Sequence, residues 1–152
     1  ISNSYGVPGL RLGILATSQR ETIVRIKKDV SIWNINSFAE FFMQIYNKYQ
    51  AQYEKACQQF IDERNRFALR LKEIHFLRVL PTQANYFCCE VKPPYTAAEL
   101  TKQLLARFDI MIKDCNSKTS LKGLNYIRIS IRNQADNDQL ITALLNLQNE
   151  TI

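Results

Sequence analysis

Between Ser37 and Glu73 large apolar side chains recur at helical spacing over about ten turns, and few folds can house so long a rod. Phe38, Phe41, Phe42, Ile45, Tyr49, Tyr53, Ala56, Cys57, Phe60, Phe67 and Leu71 follow one another at three- and four-residue steps. Ser37 and Glu40 have the spacing of a capping box at its start. At 1.5 Å per residue the rod is about 50 Å long. A coiled coil would carry Leu and Ile along its seam, whereas aromatics dominate here. The spacing predicts one unbroken helix over 37–73 that buries Phe41, Ile45, Tyr53, Phe60 and Phe67. Such a helix packs against a sheet and joins two lobes.

The residues after this helix alternate between strand and helix signals. Residues 76–80 and 86–91 read as strands around the turn-like Pro81–Asn85, and Pro93-Pro94 stop the second. Thr96, with Glu99 completing a capping box, opens a helix over 97–108. Residues 110–113 read as a third strand, 116–125 as a polar loop and 126–131 as a fourth strand. A closing helix over 136–147 carries Leu140, Ala143, Leu144 and Leu147 on one stripe. This order predicts an α+β fold, a mostly antiparallel sheet with helices on one face.

Ahead of the long helix, the signals are of another kind. Half of the chain's glycines and prolines fall within residues 6–13: Gly6, Pro8, Gly9 and Gly13. Such crowding marks a backbone that turns tightly or approaches something closely. Leu10, Leu12, Ile14, Leu15 and Ala16 make an apolar, strand-length run, and apolar residues in succession expect cover on both faces, as in a parallel sheet. A short helix over 20–28 follows, with Ser18 as its N-cap, and then a connector with the single Trp, Trp33.

Several chemistries can be set aside. Cys57, Cys88, Cys89 and Cys115 include an adjacent pair that a strand would point to opposite faces, so they read as reduced thiols of a cytosolic protein. No CxxC exists and His75 has no second His at ligand spacing, so no metal site is expected. His75 also lacks a Ser in a nucleophile-elbow context. Asp114 beside Cys115 would raise that thiol's pKa and dull it. The charge of +6 is spread along the chain, only Lys27 and Lys28 being adjacent, which reads as a solvated surface and not as a nucleic-acid face. No apolar run approaches the roughly 18 residues of a membrane span.

What remains is the segment Ser2-Asn3-Ser4-Tyr5-Gly6-Val7-Pro8-Gly9-Leu10-Arg11-Leu12-Gly13. Its glycines let backbone N–H groups approach a ligand, and Arg11 offers a bidentate fork suited to phosphate. This segment resembles the C-terminal part of fold-type-I, pyridoxal-phosphate-dependent aminotransferases, in the branch with histidinol-phosphate aminotransferase and threonine-phosphate decarboxylase. That family's signature has a Lys, a Gly with an apolar residue, an Arg eight positions after the Lys, then an apolar residue and Gly. Every element is met except the Lys, where Asn3 stands. Four further segments resemble the family in order: Trp33–Ser37, Gln83–Phe87, Ile110–Cys115 and Tyr126–Ser130.

The resemblance implies a division into 1–36, a remnant of the large cofactor-binding domain, 37–74, the interdomain helix, and 75–152, the small C-terminal domain. It also implies that Arg11 binds the phosphate of pyridoxal 5′-phosphate and that Arg128 holds the substrate carboxylate. Lys113 and Arg132 become candidates for a phosphate on the substrate. Asn3 marks the position of the Schiff-base lysine, but an amide nitrogen is not a nucleophilic amine. A natural loss of catalysis, an engineered substitution and non-native residues at the chain boundary would each account for it. The chain starts at Ile1 inside this motif, so it is expected to be part of a longer, cytoplasmic, homodimeric enzyme with a small-molecule amino-acid substrate, inactive without its N-terminal domain. The competing reading is a degenerate, non-catalytic module kept for assembly or partner contact.

One physical expectation is independent of that choice. Without the sheet that should cover it, the run at residues 10–16 should drive self-association or lie displaced from any sheet. Light scattering tests this, and a strict monomer with the run well covered would count against it.

Overall fold

The computed structural model describes residues 4–150. The chain divides at Gln58 into two compact units. The first contains a 3-10 turn at Pro8–Leu10, helix α1 (Arg20–Asp29), helix α2 (Ser37–Ile45) and a 3-10 turn at Tyr46–Tyr49. Helix α3 (Gln50–Leu71) begins in its last residues and ends in the second unit. Strands β1 (Leu77–Val79) and β2 (Tyr86–Val91), helix α4 (Ala97–Phe108), strands β3 (Lys113–Asp114) and β4 (Tyr126–Ser130) and helix α5 (Gln134–Asn149) complete the second.

The four strands form one sheet in the order β1-β2-β4-β3, with every pair antiparallel. Alternation along β2 and β4 commits Phe87, Cys89, Val91, Ile127 and Ile129 to one face, and all five are buried. Against them pack Phe67 and Leu71 of α3, Leu100 and Leu104 of α4, and Leu140, Ile141, Leu144 and Leu147 of α5, in one continuous core. Phe67 meets Phe87 edge-on, with ring centroids 5.8 Å apart. Full burial of each such side chain is worth about 1.5–3 kcal/mol, so this face holds the second unit together. The helices thus cover one face, as the strand and helix order predicts.

The long helix is not uniform. Its backbone tightens into the 3-10 turn Tyr46-Asn-Lys-Tyr49 between α2 and α3, where Tyr46, Asn47 and Tyr49 are weak helix formers, although Ile45, Tyr46 and Gln50 all keep right-handed helical angles. It ends at Leu71, where Lys72 N–H is shared between the carbonyls of Ala68 and Leu69. Of the five residues expected to be buried, Phe67 is buried, Ile45, Tyr53 and Phe60 are half-buried, and Phe41 is exposed.

Local signals misplace some boundaries for identifiable reasons. The N-cap of α2 is Asn36 and not Ser37, because the Asn36 amide oxygen accepts the Ala39 N–H at 3.0 Å. At α1 the N-cap is Gln19, and Ser18 caps nothing. Helix α5 starts early, at Gln134, because Asn133 accepts the Asp136 N–H. Strand β3 is only Lys113–Asp114, because the end of α4 folds back through left-handed Asp109 and bonds Ile110 N–H to the Leu104 carbonyl. Residues 11–17 have no regular structure, and Ile14 is 81% exposed. Among the described residues that run pairs with no strand.

A polar knot fixes α3 to the β4–α5 connection. Asn137 is 2% exposed, and its Nδ2 donates to Glu63 Oε1 (2.7 Å) and to the Arg132 carbonyl (2.9 Å). Its Oδ1 accepts the Arg132 N–H at 3.0 Å. Arg66 forks onto both Glu63 oxygens at 2.8 Å and reaches Asp138 at 2.7 Å. The hydrogen bond from Arg66, helped by Asn137, holds the Glu63 carboxyl below the usual carboxylate range. A carboxyl lowered on folding stabilises above its unfolded value and loses that stabilisation as pH falls through the folded one. Glu63→Gln should therefore lower the urea midpoint at neutral pH, with the two proteins converging as pH drops below about 4.5.

Candidate functional site

Alternation on β4 sends Ile127 and Ile129 into the core and Arg128 to the sheet's other face, where it is exposed. In register, Arg128 stands opposite Cys88 of β2 on one side and Lys113 of β3 on the other. Its guanidinium carbon lies 5.4 Å from the centroid of the Tyr86 ring. Like charges directly opposite on neighbouring strands destabilise a sheet, and neither cation has a carboxylate partner among the described residues. Nearby acids are engaged: Glu90 pairs with Arg78, and Asp114 accepts the Asn116 N–H at 2.8 Å. The pair therefore presents an unbalanced double positive charge to solvent, and an anion would relieve it.

Arg132 is held differently. Asn137 grips its backbone on both sides, while its guanidinium is taken by Asp136 at 2.6 Å. Of the two cations proposed for a substrate phosphate, the structure brings Lys113 to Arg128 and leaves Arg132 paired one turn into the connection.

Arg11 belongs to the first unit. It follows the 3-10 turn in a left-handed conformation (φ 50°, ψ 39°), its N–H bonded to the Pro8 carbonyl at 3.3 Å. That conformation costs a non-glycine residue about 1–2 kcal/mol. The guanidinium is exposed and makes no ion pair with any described residue. Asn3 lies outside the described residues.

His75 and the strand β2 cysteines lie in structural surroundings. The His75 N–H donates to Gln148 Oε1 at 2.7 Å, which ties the start of the sheet to α5. Burial pushes the Cys89 thiol up to about 12 and also raises Cys88. No cluster of metal-ligating residues exists among the described residues. Within the same residues, no helix is long and apolar enough to cross a membrane.

An unbalanced basic pair on a sheet and a strained, unpaired Arg after a Gly-rich turn are separate observations, and the aminotransferase class I and II family model matches residues 1–144, a span that contains both. The chain belongs to this family. CMP-5′-(3-aminopropyl)phosphonate synthase of Streptomyces rubellomurinus is 33% identical over 147 residues, covering 97% of this chain and 23% of that protein. L-serine phosphate decarboxylase of Campylobacter jejuni is 26% identical, covering 99% of this chain and 38% of the decarboxylase. The crystal structure of histidinol-phosphate aminotransferase from Clostridium acetobutylicum superposes with a TM-score of 0.86 at 29% identity, covering 97% of this chain and 43% of that one. The chain thus spans less than half the length of these relatives.

Enzymes of the aminotransferase class I and II family use pyridoxal 5′-phosphate. This chain's residues fit the cofactor's phosphate: Arg11 is an unpaired forked donor, and open space surrounds the Cα of Gly9 and Gly13. They do not fit its aldehyde. Asn3 offers an amide, and all ten lysines are exposed, none set in an enclosed site.

Sequence reasoning names Arg128 and Arg11 as site candidates but not three residues in contact with the candidates or their loops: Tyr86 beneath Arg128, Asn137 behind Arg132, and Asn36, whose Nδ2 donates to the Leu10 carbonyl at 2.8 Å. Tyr86 alone had a signal, since it lies two positions before Cys88 on the same strand face. Asn36 reaches a carbonyl 26 residues away, and Asn137 bonds Arg132 from five positions on while also reaching Glu63 of α3, pairings that no local pattern marks.

Mixing the chain with pyridoxal 5′-phosphate, reducing with borohydride and digesting for mass spectrometry should yield no pyridoxyl adduct within residues 1–13. An adduct there, or on one specific lysine elsewhere, would refute this assignment of the site.

Proposed function

We propose that this chain supplies the cofactor-phosphate anchor and the substrate-acid clamp of a pyridoxal-phosphate-dependent aminotransferase or related decarboxylase. The substrate is an amino acid or a phosphorylated, amino-acid-like molecule, and the chain by itself is inactive. The observation that carries this reading is the register match of Arg128 and Lys113 on the uncovered sheet face, with no carboxylate among the described residues to neutralise them. Relatives named as serine-phosphate and threonine-phosphate decarboxylases support a phosphorylated substrate.

In this reading Arg128 forks onto the substrate carboxylate, and Tyr86 beneath it limits how the guanidinium plane turns. Lys113 adds a point charge for a second acidic group. Arg11 holds the cofactor phosphate. Pyridoxal phosphate, when bound, supplies the electron sink for bond changes at the amino carbon. No residue of this chain at position 3 can hold or move a proton as an amine would. The same reading has the protein cytoplasmic and homodimeric, with an N-terminal domain covering apolar groups such as Trp33, which is 91% exposed.

Asn3 favours a second reading, a degenerate module that keeps the fold for assembly. The two separate on one experiment: joining the chain to the N-terminal half of a family member and changing Asn3→Lys. The first reading expects transamination or decarboxylation of amino acids or their phosphates, and the second expects a folded, inactive protein. In the active fusion, Arg128→Ala should weaken substrate binding by about 2–4 kcal/mol, and an unchanged Michaelis constant would end the assignment.

A further inference from the structure

We propose that Asn36 is a positioning residue for Arg11, coupling formation of helix α2 to the conformation of the phosphate-binding loop. The proposal rests on the reading of Arg11 as a phosphate anchor. A planar amide carries an acceptor and a donor on one group, and Asn36 uses both. Its Oδ1 accepts the Ala39 N–H at 3.0 Å, capping α2. Its Nδ2 donates at 2.8 Å to the Leu10 carbonyl, 26 residues away. The amide orientation follows from its neighbours, because an N–H needs an acceptor and a carbonyl needs a donor.

The peptide unit between Leu10 and Arg11 is consequently gripped from both sides. Its carbonyl receives Asn36, and its N–H donates to the Pro8 carbonyl at 3.3 Å. Fixing that plane holds Arg11 in the left-handed region, which a non-glycine residue leaves unless its surroundings prevent it. A second clasp holds the other end of the loop. Tyr5 donates its hydroxyl to that of Tyr46 at 3.1 Å and packs its ring 4.5 Å from Tyr53. The loop from Tyr5 to Arg11 is thus anchored to the helical segment at both ends. A Ser or Asp at position 36 would cap the helix equally well but would lack the amide donor.

The test is an NMR titration of the full chain with inorganic phosphate, following the backbone amides of residues 9–13, which Arg11→Ala leaves in place. The unaltered chain should bind saturably, and Arg11→Ala should abolish the response. Asn36→Ser should weaken binding by about five-fold, the scale of ordering one long side chain, while the amides of α2 keep their exchange protection. An unchanged affinity in Asn36→Ser overturns the proposal and leaves the reading of Arg11 intact. Unchanged binding in Arg11→Ala overturns that reading instead. Backbone couplings of Arg11 without phosphate give a second measurement, and Asn36→Asp a second variant in case the Ser variant frays the helix. Both variants should release Arg11 from the left-handed region. Retention of that conformation in both would also overturn the proposal.

Discussion

A four-stranded sheet that buries one face must give every second residue to the other, and in this chain that rule organises both the core and the chemistry. Phe87, Cys89, Ile127 and Ile129 point into the layer built by α3, α4 and α5. Their neighbours Tyr86, Cys88 and Arg128 have nowhere to go except the uncovered face. A shift of β4 by one residue would bury Arg128 and expose both isoleucines, so the hydrophobic core fixes the orientation of the arginine. Stability and the placement of Arg128 are properties of the same register.

Polar groups settle what the core leaves undetermined. Apolar packing is tolerant of small slides between helix and sheet, whereas a buried amide with three hydrogen bonds is not. Asn137 joins α3, the end of β4 and the start of α5, and the Arg66 fork on Glu63 completes its surroundings. Asn36 plays a comparable part in the first unit with a cap and a single distant carbonyl. Each amide links residues far apart in sequence through one rigid plane.

How far the amino-acid sequence reveals this arrangement depends on the range of the interaction. Strand β2 and helix α4 are legible to the residue, because alternation and the Thr96–Glu99 capping box are encoded within a few positions. The cap at Ser37 is misjudged because the neighbouring Asn36 side chain takes the position, and the one at Ser18 because α1 starts a residue later with no side-chain cap. The strand expected over residues 10–16 needs partners that the described residues do not provide. Arg128 is legible from strand parity, whereas its apposition to Lys113 is a matter of register between β3 and β4 across a loop. Left-handed backbone at Arg11 carries no sequence mark, since Arg has no preference for it.

The sheet's two longer strands, β2 and β4, lie at its centre, while the two outer strands have only three and two residues. Each rim thus offers too few free backbone groups to template a further strand, and at β3 a lysine sits on that rim. The second unit is therefore guarded against growing edge to edge into an extended ribbon. Any assembly it joins must be built through side chains on its faces and not through main-chain pairing.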